Sequence, residues 1–235
     1  MAGRDRRTVR APRTAAAVTH GGHTLATTLA VRPPTPRATM PPVSHFFAYL
    51  SRMKFIQRWG LMRNTSTENI QEHSLQVAMI AHALALLHNE RLGRQAVDPE
   101  RTALLAVFHD AEEVITGDVP SPIKYFNPQV RDAVADLGEV AKHKLLEMVP
   151  EPLRGAYEPL LFPRAEDAGA WRMVKLADKL CAYLKCVEEA KAGNREFERA
   201  EASIRRGLDA LGDPEVDRFV ALYVPSFRLT LDELN

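Results

Sequence analysis

The sequence predicts an all-α protein, and three observations carry that expectation. From Ser44 onward, each long segment repeats apolar residues at helical spacing. Three cap-and-proline pairs, Asp98-Pro99, Asn127-Pro128 and Asp213-Pro214, mark helix starts. Asp or Asn can accept a hydrogen bond from a free N-terminal N–H, and proline has no N–H to leave unpaired. No stretch alternates apolar and polar residues for long enough to make a convincing strand. With no internal repeat and no clear second domain, residues 40–235 read as one helical bundle.

The elements follow in order. Ser44 is placed to cap a first helix that turns Phe46, Phe47, Leu50, Met53 and Ile56 toward a core. Gly60 to Thr65 is an irregular link. Ser66 or Thr67 then caps a second helix through Leu87, with Ile70, Val77, Ile80, Ala81 and Leu84 on its apolar side. Asp98-Pro99 opens a third helix, which Gly117 closes. Pro120 and Pro122 bracket a rigid loop. Asn127-Pro128 starts a helix that runs to Met148, and Pro150 with Pro152 breaks the chain. A long helix spans Asp167 to Ala192 and ends at Gly193. Asn194 caps the next, closed by Gly212. Asp213-Pro214 opens the last, which Pro225 stops.

Composition bounds the function. The 235 residues are 46% apolar and 26% charged, enough for one sizeable core. The net charge of +1 is unevenly spread. Residues 1–39 hold seven Arg and one Asp, whereas the remainder holds 24 basic and 29 acidic residues. The body therefore carries no global basic signal for a nucleic acid polymer. No apolar run approaches the roughly 18 residues of a membrane span. Cys181 and Cys186, five apart on a helix, point about 140° from each other, so a mutual disulfide is disfavoured and the chain fits a reducing cytoplasm. Residues 1–39, rich in Ala, Arg, Thr and Pro, read as a disordered extension. Their Arg-rich, acid-poor composition is shared by transit peptides. Met40, where ordered-looking sequence begins, makes a start at that residue the simpler reading.

The chemistry gathers around Phe108 to Asp118. A His109-Asp110 doublet follows the apolar run from Ala103, where the pattern expects core. Burying both side chains is costly unless each is partnered, and a divalent cation would satisfy both. On a continuous helix the two sit about 100° apart, and Glu113 shares their face. His73 on the second helix and Asp178 on a later one complete the order His, His-Asp, Asp across three helices. Alone, each is ordinary; Asp178 could simply pair with Lys175 or Lys179. Together, two imidazoles and two carboxylates neutralise a dication and leave coordination positions open, as catalytic sites do. Arg58 offers a planar fork suited to phosphate oxygens, although a surface arginine is the plainer reading. Trp59 is a core aromatic or a pocket wall, and Asp118 a turn residue or a hydrogen-bonding group. His45, His82, His88 and His143 have no matching partners, and Trp171 reads as core or interface.

These residues sit in stretches that resemble the HD-domain metal-dependent phosphohydrolases, and most closely the bacterial 5'-deoxynucleotidases. The carrying stretches are Ser44 to Phe47, Arg58-Trp59 with Leu61 to Asn64, Glu72 to Ala78, His109-Asp110, Glu113, Thr116 to Asp118, Lys124 to Asn127, Asp178, Cys181 to Cys186 and Val224 to Phe227. Residues 1–39 have no counterpart in the resemblance. The resemblance implies a helical homodimer that removes phosphate from deoxyribonucleoside 5'-monophosphates. It implies one divalent ion (cobalt, manganese or copper) on His73, His109, Asp110 and Asp178. It places Arg58 at the phosphate, Trp59 against the sugar, and Asp118, Val119, Pro120 and Ser121 along the nucleotide pocket. Glu113, on the face of the doublet, is placed to move a proton to or from the reacting oxygens, and Asp118 to bond the deoxyribose hydroxyl or assist that transfer. Two rivals remain: an HD phosphohydrolase acting on another nucleotide, and a nucleotide-binding regulator of the same fold without turnover.

Overall fold

The computed structural model describes residues 43–234. Expectations for residues 1–39 lie outside the described residues. Ten α-helices account for most of the described chain, and the nearest approach to a sheet among described residues is one isolated antiparallel bridge, Gln57 with Asn69. The helices are α1 (Phe46–Leu50), α2 (Ile70–Leu92), α3 (Pro99–Val107), α4 (Glu113–Thr116) and α5 (Ser121–Lys124). They continue with α6 (Pro128–Met148), α7 (Glu151–Leu161), α8 (Ala168–Lys191), α9 (Glu198–Asp209) and α10 (Pro214–Tyr223).

The centre of the bundle is α2 packed against α3 and α8. Val77, Ala81, Leu84, Leu105, Val174, Leu180 and Leu184 are fully buried between them. A second apolar cluster joins Phe46, Met53 and Ile70 to Ala111, Val114, Leu145 and Leu161. Every apolar residue expected on the second helix is buried.

The three cap-and-proline helices start where expected. Asp98 accepts from the N–H groups of Glu100 and Arg101, Asn127 from Val130, and Asp213 from Glu215 and Val216. Elsewhere the boundaries move for identifiable reasons. The second helix is capped by Asn69, in a reciprocal box with Glu72, not by Ser66 or Thr67. Those two precede the bridge, and the Ser66 backbone is bound elsewhere: its N–H reaches Glu189 and its carbonyl Lys185. Leu92 rather than Leu87 ends the helix, and Gly93 follows at φ 62°, a left-handed position that glycine adopts without strain.

The first helix is a single α turn continued by a 3₁₀ stretch, Ser51–Phe55. Its N-cap is His45. Ser44, one residue earlier, still accepts from the Phe46 N–H at 3.3 Å while donating to the Met148 carbonyl, and Phe47 is exposed rather than core. The third helix stops at Val107 instead of reaching Gly117. The Pro120–Pro122 segment contains the short α5. The Pro150–Pro152 stretch, read as a break, opens α7, because Pro152 sits in the first turn, where its missing N–H costs nothing.

Candidate active site

The interruption between α3 and α4 builds the site. His109 Nδ1 lies 2.7 Å from the Ala106 carbonyl, and successive N–H groups bond three residues back: Phe108 to Leu105, His109 to Ala106, Ala111 to Phe108 and Glu113 to Asp110. The helix thus tightens into turns over His109–Glu112. The regular-helix spacing assumed for His109, Asp110 and Glu113 is therefore replaced, yet His109 and Asp110 still meet and Glu113 stays within electrostatic reach of Asp110.

His73, at the first turns of α2, is fully buried. Its Nε2 lies 3.1 Å from Asp178 Oδ1 on α8 and 3.7 Å from Asp110 Oδ2. Asp178 thus faces His73 rather than a neighbouring lysine. His109 Nε2 lies 3.0 Å from Asp110 Oδ2. One ligand atom from each of His73, His109 and Asp110 falls within 4.8 Å of the others.

The chemistry of this set fits a cation. His109 Nδ1 donates to Ala106, so in the neutral ring the lone pair is on Nε2. That nitrogen is buried without a hydrogen-bond partner and looks at a carboxylate oxygen. Two electron-rich atoms at this separation repel unless positive charge stands beside them. The Ala106 contact also fixes the ring, as outer partners do for metal-binding histidines. His73, His109 and Asp110 form one candidate site for a divalent metal ion.

The carboxyls around the cluster are shifted in opposite directions. Arg58 Nη1 stands 3.6 Å from Asp110 Oδ2, while its Nε donates to Glu68 at 3.2 Å. Burial disfavours the charged form of Asp110, but the neighbouring His109, His73 and Arg58 outweigh it and hold the carboxyl well below its usual range. For Glu113 the pull of Arg58 is outweighed. Burial, then the charges of Asp110 and Asp118, push it up to about 9. Its Oε2 is buried without a partner. Asp118 is raised by burial and by Asp110, with Arg58 pulling the other way. A dication at the cluster would reverse this balance and return Glu113 toward the carboxylate form.

Among the other residues expected at the site, Trp59 donates its indole N–H to Glu68 at 3.0 Å and packs on Phe197, ring centroids 5.3 Å apart. Val119 and Pro120 are half-buried and Ser121 is exposed at the start of α5. Of the histidines without assigned partners, His88 bonds the buried Glu215, and His143 packs against Phe162. Trp171 packs on the main core with Lys175 over its ring. Glu68 was missed by the sequence reading. Its only local signal is an acid just ahead of the Asn69 cap.

A histidine on one helix, a His-Asp doublet after a second and an aspartate on a third, converging in a helical bundle, define the HD-domain phosphohydrolase class. A family model described as 5'-deoxynucleotidase YfbR-like matches residues 45–227. A 5'-deoxynucleotidase of Erwinia tasmaniensis is 53% identical over 192 residues, 82% of this chain and 96% of its own length. The 5'-deoxynucleotidase YfbR of Salmonella paratyphi B is 52% identical over the same shares. An HD-domain phosphohydrolase from Listeria innocua shares the fold at 20% identity, with a TM-score of 0.66 over 78% of this chain and 88% of that one. The chain belongs to the YfbR-like 5'-deoxynucleotidase family.

Proposed function

We propose that the protein is a metal-dependent 5'-deoxynucleotidase, converting deoxyribonucleoside 5'-monophosphates to deoxyribonucleosides and phosphate. The observation that carries this reading is the convergence of two histidines and two aspartates beside one guanidinium whose outer edge faces them. His73, His109, Asp110 and Asp178 would hold the ion, with cobalt, manganese and copper as the candidates. When bound, a divalent ion there supplies Lewis acidity toward the phosphate and makes hydroxide available from water near neutral pH.

The protein's own groups do the rest. With Nε occupied by Glu68, Arg58 presents its terminal nitrogens to the phosphate. Glu113 moves a proton to or from the reacting oxygens, since a carboxyl without fixed donors is free to exchange one. Asp118 through Ser121 line the nucleotide, with Asp118 at the sugar hydroxyl or sharing the proton work. Trp59 walls the sugar: an added 2'-hydroxyl would clash with the ring or stay unpaired, a cost of about 1–3 kcal/mol. Trp59→Ala should therefore narrow the kcat/KM ratio of dAMP over AMP, while Arg58→Ala lowers both substrates together.

No helix of the described residues is long and apolar enough to cross a membrane. The two buried cysteines are free, in keeping with a cytoplasmic protein. A homodimer and dispensable residues 1–39 belong to the same proposal. The deciding experiment is phosphate release from a panel of ribo- and deoxyribonucleoside 5'-monophosphates, with chelator-stripped protein and each metal added back. Deoxy-selective, metal-restored release is expected. Equal release from ribonucleotides would favour a broader phosphohydrolase, and binding without release would favour a regulator.

A further inference from the structure

One carboxylate outside the proposed ligand set meets three residues of the site. Glu68 Oε2 accepts from Arg58 Nε at 3.2 Å and from Trp59 Nε1 at 3.0 Å. Its Oε1 faces His73 Nδ1 at 3.7 Å, beyond hydrogen-bond length but within ion-pair range. That nitrogen is buried and otherwise without a partner.

We propose that Glu68 is a positioning residue, setting through a single side chain the phosphate fork, the sugar wall and one metal ligand. This rests on the deoxynucleotidase reading for the names of the three roles, but not for the geometry.

The backbone explains how one residue reaches all three. The Gln57–Asn69 bridge holds residues 56–58 beside 68–70, with Arg58 N–H donating to the Glu68 carbonyl and Ile70 N–H to the Ile56 carbonyl. Consecutive side chains on an extended strand point to opposite sides. Trp59 departs from that pattern: it adopts φ 59°, the only non-glycine residue at positive φ among the described residues. The turn lets the side chains of Arg58 and Trp59 meet the same oxygen. The bond to Arg58 is also selective. It takes the inner Nε and leaves Nη1 directed at Asp110, 3.6 Å away. At His73 a proton drawn to Nδ1 by this carboxylate would leave the Nε2 lone pair, which faces Asp178 at 3.1 Å, to the ion when one is bound, the usual effect of an outer carboxylate on a metal-binding histidine.

The test is Glu68→Gln, which keeps the volume and one acceptor but removes the charge and places an amide where His73 needs an acceptor. Three quantities are read beside the fold. The affinity of stripped protein for Mn2+ or Co2+ alone, by calorimetry, should fall about ten- to a hundredfold. The dAMP over AMP ratio of kcat/KM should fall together with a raised KM for dAMP. Trp59 emission, isolated in a Trp171→Phe background, should shift. A folded variant with wild-type metal affinity, ratio and emission overturns the proposal. Weaker metal binding alone, with ratio and emission intact, overturns it as well, reducing Glu68 to a partner of His73. If Glu68→Gln does not fold, Trp59→Phe removes the donor to Glu68 while keeping a smaller aromatic ring at the wall. An unchanged ratio and KM in that variant then overturns the shared-carboxylate claim. Absence of phosphate release from the wild type with every metal would sink the enzymatic reading instead, while metal affinity and emission still report on Glu68.

Discussion

Glu113 and Glu189 are both enclosed helix carboxylates, but one meets other acids and the other meets donors. Glu189 on α8 accepts from the Thr65 N–H and hydroxyl, the Ser66 N–H, the Asn194 amide and Lys185. Burial pushes its pKa up, yet these bonds overcome burial and hold the carboxyl far below its usual range. Glu113 sits among Asp110 and Asp118 with one oxygen unpartnered, and is pushed up to about 9. The contrast separates what stabilises the fold from what is kept reactive. A fully satisfied buried acid pins a loop, whereas Glu113, unsatisfied and close to the candidate metal cluster, is the group the proposed reaction would use.

The ion is what would bring Glu113 back toward the carboxylate form, so losing its ligands should have the largest effect on activity. His73→Ala, His109→Ala, Asp110→Ala or Asp178→Ala should each lower metal-dependent hydrolysis by more than about a hundredfold, with loss of bound metal. Metal content and turnover are measured on the same preparation, and a variant retaining both is not a ligand. Glu113→Gln comes next. It should keep the ion while kcat falls about 10²–10⁴-fold, the usual contribution of a proton-transfer group. Loss of metal together with activity would make Glu113 a ligand or a support.

Glu189→Ala tests the other half of the comparison. It strands Lys185, which is 5% exposed, and should cost about 3–5 kcal/mol in a denaturant titration. A cost under about 1 kcal/mol would place the clamp among the weak surface pairs. The smallest effect belongs to deletion of residues 1–39. Stability and kcat/KM should stay within experimental error, because the family match begins at residue 45. A large loss of helicity or turnover would show that the extension is integral.

The sequence revealed most where the signal is local. Asp98, Asn127 and Asp213 each cap within three residues of themselves, and the buried face of α2 repeats at helical spacing. The four proposed ligands were legible because rare residue types stood at apolar positions on three separate segments. What stayed hidden depends on partners far along the chain. Lys185 and Glu189 are more than a hundred residues from the Thr65–Ser66 loop they bind. Glu68 acts through a single bridge too short for a period-two pattern. The stop at Val107 has a comparable cause, since a His side chain competing for a helix carbonyl leaves the apolar spacing intact. The missed α7 shows proline misread as a breaker where it starts a helix.

The left-handed backbone at Trp59 carries a consequence for how this chain responds to selection. A bulky residue there stores strain of the order of 1–3 kcal/mol, which glycine would release. Trp59→Gly would shed that strain together with the indole that bonds Glu68 and packs on Phe197. Truncating a packed aromatic costs about 3–5 kcal/mol and glycine adds entropy to the unfolded chain, so the variant should melt lower despite the relief. A library screened first for thermal survival and then for preference between dAMP and AMP should therefore keep tryptophan at this position in both screens.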